Sequence, residues 1–477
     1  MIGRKDCPVA SQLPLYIIIY HRTDFVKENT IMLKKKLFPA LTGLLCASVC
    51  ILGGCENKNA KAGKTETPEN ASMSKEPEEP AAASGTKVDE HAIGAFTIPS
   101  YVIPEKDDDL TSPKNTDLTF PGHNDGRINS MADFIGANHI WPGYTLTEPD
   151  CLNDGGARML ELGSATIKTY LVNYYQANYS FGTDWGPEIT SAVELAQTKH
   201  YRELFAKDLK TFALGVYIFD NSYGHPAVYW NKQFPEEARQ KEYRELYELT
   251  YYLCKTYAGT KKTFIIQNWE GDWASRGDNY TDPDAYVTPE AAARMIDWAN
   301  TRQDAVMAAR KDAGCKDVYV YHALEVNLIK IGIEGKPCVT SGVIPYTYCD
   351  FYAYSAYDTQ DTEKGFAEAL DYLAEHVASN RTGGKSQCYI GEFGWPFSLD
   401  NNRESTRLKI AENVLKVARE KDFAHVYWWE LYDTAGEHKG SSDPADYPGY
   451  WLVTVEGRYT AVWNLLYRAI NKTDYAG

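Results

Sequence analysis

Eight short apolar runs, spaced by stretches of helical character, restrict this chain to an alternating β/α architecture. The runs lie at residues 134–137, 166–171, 213–219, 263–266, 318–321, 351–354, 388–391 and 425–429. Each is rich in Val, Ile, Tyr, Phe or Thr, the residues that suit a pleated surface buried on both sides. Helical patterns fall between them. Thr288 reads as an N-cap with Pro289 at the first helical position, followed by Ala291, Met295, Trp298 and Ala299 at helical spacing and Gly314 as a stop. Residues 365–378 and 405–419 carry similar patterns. Eight strands with crossover helices predict an α/β fold, a (β/α)8 TIM barrel, with any site at the C-terminal strand ends. A doubly wound open sheet is the alternative, but no glycine-rich phosphate loop follows the first run.

The N-terminal part reads differently. Met32 and three lysines, Lys34 to Lys36, precede an apolar stretch to Ile51, and Leu52-Gly53-Gly54-Cys55 then resembles a bacterial lipoprotein box. The apolar stretch is short of the roughly 20 residues that span a bilayer. Cys55 is therefore the expected lipidation site, which implies an anchor in the bacterial cell envelope, at the periplasmic face or the cell surface. A signal peptide should open a chain, so Met32 is the expected true start and residues 1–54 comprise an upstream extension plus the signal. Residues 55–92 are Lys, Glu, Pro, Ala, Ser and Thr with few large apolar side chains, a composition that cannot bury enough surface to fold. They are expected to form a tether. Residues 93–132 lead into a single catalytic domain over residues 133–477.

Charge narrows the partners. The net charge is −16, and without residues 1–54 there remain 42 Lys and Arg against 62 Asp and Glu, a net −20. Such a balance disfavours nucleic acid and anionic polymers. Six cysteines follow Cys55, widely spaced and with no CxxC pair, so a zinc site is not expected, and with no ligand cluster at metal spacing no metal or organic cofactor is implied. Export permits disulfides, and Cys338 with Cys349 is the closest pair along the chain; burial as small hydrophobes serves most of the six equally well.

The chemistry concentrates in two segments. Gln387-Cys388-Tyr389-Ile390-Gly391-Glu392-Phe393-Gly394-Trp395-Pro396 ends the seventh run with a carboxylate between two glycines and an aromatic just beyond. The fourth run ends in Gln267-Asn268-Trp269-Glu270-Gly271-Asp272-Trp273, again a carboxylate at a strand end beside an Asn and two Trp. Two carboxylates are what retaining glycoside hydrolysis requires, one to attack the anomeric carbon and one to pass a proton to the leaving oxygen.

On these segments the chain resembles the clan of retaining TIM-barrel glycosidases that includes many cellulases, β-mannanases and β-glucosidases. The resemblance implies Glu392 as nucleophile on strand seven and Glu270 as acid/base on strand four. It implies Trp428 or Trp429 as the strand-eight aromatic below the reacting sugar, and Tyr354 or Tyr357 as a hydrogen-bond donor to the nucleophile. Two departures stand out. The clan has Asn directly before the acid, whereas Trp269 separates Asn268 from Glu270, which leaves Asp272 and Glu325 as competing acids. An Arg placed near the nucleophile in some families has no counterpart on strand two, where Lys168 stands.

Trp269, Trp273 and Trp395 are candidate stacking platforms, with core packing as the plain alternative. His139 and Trp141 after strand one, and Asp220 and Asn221 after strand three, are candidate hydroxyl binders. Glu392 should be kept ionised by charge or hydrogen bonds, and Glu270 kept protonated by burial. The expected activity is hydrolysis of a neutral, β-linked poly- or oligosaccharide by a monomer. A glycan-binding lipoprotein without catalysis, a transglycosylase, and a barrel enzyme using a metal through His139 and His322 are the rivals.

Overall fold

A computed structural model describes residues 130–147, 150–277, 285–378, 388–399, 404–434 and 439–472. Cys55, the signal, the tether and most of the lead-in lie outside the described residues.

Eight parallel strands form one sheet: β1 Ile135–Ala137, β2 Thr166–Leu171, β3 Thr211–Val216, β4 Thr263–Gln267, β5 Tyr319–Val326, β6 Phe351–Ser355, β7 Cys388–Phe393 and β8 Val426–Trp428. Each pairs with its sequence neighbour from β2 to β8, and β8 pairs with β1 in the register Ile135–Val426. The sheet closes where Asn138 bridges Lys168, with the His139 amide donating to the Lys168 carbonyl at 2.8 Å. This is the expected (β/α)8 TIM barrel. Strands three and five are displaced from their sequence-read positions, β3 starting two residues earlier and β5 running five residues further, to Val326. The extension of β5 carries Glu325 within the strand, in keeping with its reading as a strand-five residue.

Alternation along the strands sorts the side chains into two layers. Ala213, Ile265, Tyr321, Ala323, Phe351, Ala353, Tyr389 and Tyr427 fill the barrel interior. Their rings meet edge to face, Tyr321 on Phe351 at 5.4 Å and Phe351 on Tyr389 at 5.9 Å. The intervening residues, such as Ile167, Leu214, Ile266, Leu324 and Ile390, pack outward against the helices. Strict alternation would turn Glu392 outward as well, because Tyr389 and Gly391 face in. A register shift prevents this: Tyr354 pairs with Ile390, but the next residue, Ser355, pairs with Glu392. One extra residue on β7 thus swings Glu392 towards the lumen, the usual effect of a bulge beside a functional site.

The outer layer consists of α1 Cys151–Leu162, α2 Lys199–Ala206, α3 Glu236–Thr256, α4 Pro289–Ala313, α5 Glu363–Ala378, α6 Glu404–Glu420 and α7 Ala461–Asn471. Between β5 and β6 only short turns of helix occur, at Ile329–Ile333 and Val339–Gly342. In α4 the Thr288 hydroxyl accepts from the Ala291 amide and Gly314 takes the left-handed conformation, as the sequence predicts. α3 and α4 lie side by side, which brings Cys254 near the end of α3 to Cys315 just after α4, and these two form a disulfide. Cys338 and Cys349, the pair closest in sequence, are instead free and buried. Cys338 faces Ser341 at 3.3 Å, while Cys349 belongs to the outer core layer.

The Cys254–Cys315 link closes a loop of 61 residues, which reduces the freedom of the unfolded chain. Its loss should cost about 2–4 kcal/mol. Scanning calorimetry of Cys254→Ser/Cys315→Ser should give a midpoint several degrees below the parent. An unchanged midpoint would show that this link contributes nothing to the fold.

Candidate active site

The C-terminal strand ends gather Lys168 from β2, Gln267 from β4, Glu325 from β5, and Glu392 from β7, all buried. Lys168 reaches across the lumen, its Nζ 2.9 Å from Glu325 Oε2 and 3.0 Å from Glu392 Oε1, and it donates to the Gly391 carbonyl at 3.1 Å. Burial opposes its charge, but the two carboxylates outweigh that and hold its pKa above the ordinary lysine value. The strand-two position without an Arg therefore still supplies a cation to Glu392. The second Glu392 oxygen accepts from the Tyr357 hydroxyl at 3.2 Å. Burial and the adjacent Glu392 charge keep that phenol protonated and so a donor.

Glu325 is saturated. Its Oε2 accepts from Lys168 and, at 2.9 Å, from Gln267, whose own oxygen accepts from Tyr389 at 2.5 Å. Its Oε1 accepts from the Glu270 amide at 3.2 Å. Three donors converge on this one carboxylate. Asp272 is likewise committed: it accepts from the backbone amides of Asn327 (3.0 Å), Leu328 (3.2 Å) and Val339 (2.7 Å). It pins the short helix Gly271–Arg276 to the chain after β5. Burial raises the Asp272 pKa against the pull of these amides.

Glu270 has the opposite surroundings. It is fully buried, and neither carboxyl oxygen has a hydrogen-bond partner among the described residues. Burial, then the charges of Glu392 and Glu325, raise its pKa well above the ordinary value. The Ser355 hydroxyl pulls weakly the other way, though no hydrogen bond forms between them. Glu392 is raised too, by burial and against the pull of Lys168, to about 7. That is higher than the sequence implies, because burial, with the nearby Glu325 charge, outweighs the pull of the cation. Both carboxyls are thus raised, Glu270 by burial without a hydrogen-bond partner among the described residues and Glu392 by burial against the opposing pull of Lys168.

The other candidate residues separate clearly. Asn268 lies beyond the end of β4, so alternation no longer relates it to Glu270; its amide accepts from Glu325 N at 2.8 Å and donates to Glu325 O at 3.2 Å, clamping β4 to β5. Tyr354 points outward to Asp358 and Thr359, away from Glu392. Trp428 is fully buried against Phe393, with its indole donating to the Tyr450 carbonyl at 2.9 Å, so it is core. Trp429, following in chain and joined to Glu430 by a cis bond, is partly exposed, as is Trp395. Trp269 and Trp273 are largely covered, Trp269 with its amide on the Tyr217 hydroxyl and Trp273 beneath the Arg276 guanidinium. His139 is buried with Nε2 2.7 Å from the Cys151 carbonyl, and His322 packs on Arg302. Among the described residues no three His, Cys, Asp or Glu side chains converge as a metal site would require. Trp141 is partly exposed and stacks on Tyr174 at 5.5 Å, with His225 beyond it at 6.0 Å. Asp220 is ion-paired with Lys241.

Sequence reasoning missed Gln267, Glu430, Tyr174 and Tyr450. Glu430 is buried at the end of β8, where Oε1 accepts from the Thr434 amide and hydroxyl, and burial then the nearby Asp433 raise its pKa well above normal. The signal available was a third carboxylate directly after a strand-end Trp pair.

No family model matches this sequence, and no curated protein does. Among solved structures it is similar to a GH5_18 protein from Streptomyces cattleya in complex with GlcNAc. That likeness has 15% identity over 72% of this chain and 81% of the other, at a TM-score of 0.48. A GH5-4 broad specificity endoglucanase from Bacteroides salanitronis shares 14% identity over 76% of this chain and 100% of its own, TM-score 0.45. A GH5_18 protein from Bifidobacterium longum in complex with Manβ1-4GlcNAc shares 14% over 71% and 78%, TM-score 0.46. These neighbours are TIM-barrel glycoside hydrolases. At such identities and scores no residue role or substrate passes to this chain, and the barrel stands on its own strand pairing.

Glycine at 391 is required by close approach. A Cβ there would overlap Glu325 Oε2 and come within 3.3 Å of Ala353 Cβ. Gly391→Ala should displace Glu325 from Lys168, lowering the thermal midpoint and any glycoside turnover together. A variant with parental midpoint and turnover would show that the lumen tolerates the displacement.

Proposed function

We propose that this chain is a glycoside hydrolase that cleaves a neutral, β-linked poly- or oligosaccharide with net retention, with Glu392 as nucleophile and Glu270 as acid/base. The observation that carries the reading is the contrast between two buried carboxyls at one barrel mouth. Glu392 faces the Lys168 cation and the Tyr357 donor, whereas Glu270 faces no donor among the described residues. One environment favours the anion and the other the acid, which is the division of labour that two-carboxylate hydrolysis needs.

In this reading Glu392 attacks the anomeric carbon while the Glu270 proton passes to the departing oxygen, giving a glycosyl ester on Glu392 and a free alcohol. Glu270, now ionised, takes a proton from water as that water attacks the same carbon. The ester breaks, Glu392 regains its charge and Glu270 its proton. Trp429 and Trp395 on one side, and Trp141 with Tyr174 on the other, offer partly exposed aromatic faces for sugar rings. The low Lys and Arg content relative to Asp and Glu supports a neutral substrate. We also propose, from the lipobox at Cys55, that the enzyme is lipid-anchored in a bacterial envelope.

The test is turnover of a panel of neutral β-linked aryl glycosides and polysaccharides by the parent protein, Glu392→Gln and Glu270→Gln. Both variants should lose about 10²–10⁴-fold on the substrate that the parent cleaves. Proton NMR of the first-formed product should show the β anomer. Activity requires Glu392 ionised, so it should rise as pH increases through about 7; it requires Glu270 protonated, so it should fall again at higher pH. Parental activity in either variant would remove that residue from its role, and an α product would replace retention by inversion.

A further inference from the structure

Glu325 is the buried carboxylate that the two-carboxylate reaction does not use, yet it touches both partners. Its Oε2 shares Lys168 with Glu392, and its Oε1 holds the backbone amide of Glu270. Residue 391 has no side chain, and a Cβ there would run into the Glu325 carboxylate. A carboxylate serving only to fill space would need neither the cation nor that clearance. A lysine pairing with Glu392 alone would hold that carboxylate as a tight ion pair, draining charge from the attacking oxygen.

We propose that Glu325 is a positioning residue that divides the Lys168 charge with Glu392, leaving Glu392 ionised but incompletely paired, while anchoring Glu270 beside it. This rests on the reading of Glu392 as the nucleophile. The titratable groups that face Glu325 are Lys168 and Tyr170 from β2, Tyr217 just after β3, Glu270 after β4, and Glu392 and Tyr389 from β7. Burial keeps the three phenols protonated, so Lys168 is the cation among them. Removing the Glu325 charge therefore leaves that cation to Glu392 alone.

The decisive measurement is the titration of the Glu392 carboxyl itself, by ¹³C NMR of the whole chain carrying ¹³C-labelled glutamate. Its signal is assigned by its disappearance in Glu392→Gln. In Glu325→Gln the Glu392 midpoint should fall by about one pH unit, a tenfold change in proton affinity. In Glu325→Asp, where a shorter carboxylate withdraws from Lys168, it should fall by less. Where a substrate is turned over, the acid limb of kcat/KM should move down by the same amount. A midpoint unmoved in both variants, with activity lost evenly at all pH, would make Glu325 purely structural and overturn the proposal. If Glu325→Gln does not fold, the aspartate variant decides alone: an unmoved or raised midpoint overturns it. Because the carboxyl is read directly, a moved midpoint with no glycoside cleaved sinks the hydrolase reading and not the charge sharing. Cleavage with an unmoved midpoint does the reverse.

Discussion

One lysine organises this molecule. Lys168 supplies the backbone through which β1 and β2 close the barrel, by its bridge to Asn138 and its carbonyl on His139. The same residue then sends its ammonium across the lumen to Glu325 and Glu392. Closure of the sheet and placement of the charge are thus a single event, and a barrel that failed to close at this seam would also lose the cation. Around it, Asn138 donates to the carbonyls of Gly391, Tyr427 and Trp428, so the seam is tied to β7 and β8 as well.

Burying one cation and several carboxyls is costly unless each is hydrogen-bonded, since desolvation of an ion in a low-dielectric interior amounts to several kcal/mol. The lumen meets that demand unevenly. Lys168, Glu325 and Gln267 form a closed set in which each polar atom has a counterpart, supported below by the Tyr389 hydroxyl. Glu270 is left out of the set. A group without partners in such surroundings relieves the cost by favouring its protonated form, which supports the acid role proposed for Glu270. The asymmetry between Glu270 and Glu392 arises from which residue the network includes, not from any difference in their chemistry.

The fold was legible because continuous apolar runs and capped helices are local signals. Residues 166–171 and the Thr288–Pro289 start coincide with β2 and α4. Glu392 was legible because two glycines and a Trp flank it at a strand end. What failed were inferences that assumed an ideal strand. Asn268 and Glu270 would share a face only if β4 continued past Gln267, and it does not. Between Trp428 and Trp429, alternation puts the first against the helices, a choice that depends on the register of β8 with β7. The Lys168 contacts span 157 and 224 residues, and no local pattern encodes a pairing of that length. Cysteine spacing failed for the same reason, because α3 and α4 bring together residues 61 apart while Cys338 and Cys349 point into separate parts of the core.

The charge state of the lumen bears on what it can bind and stabilise. Four carboxyls lie close together, but burial favours the neutral form of Glu270 and Glu430, which leaves Glu325 and Glu392 against Lys168. With Glu392 ionised, above about pH 7, these groups carry about one net negative charge in a low-dielectric setting, where charges act strongly. An anionic sugar would add a second negative charge with the nearest cation already shared, so a neutral glycan is the better fit. The same excess charge favours the positive character that develops on the sugar ring as the glycosidic bond breaks. In the proposed reaction, once Glu392 is consumed in a glycosyl ester, Lys168 and Glu325 remain as a balanced pair and Glu270 is free to hold the charge that the leaving group's proton left behind. The network then presents its one negative charge at Glu270, on the side where water must be activated. The proton given up by Glu270 keeps that total constant in the proposed reaction, and the third carboxylate on the shared lysine sets it at one negative charge rather than zero.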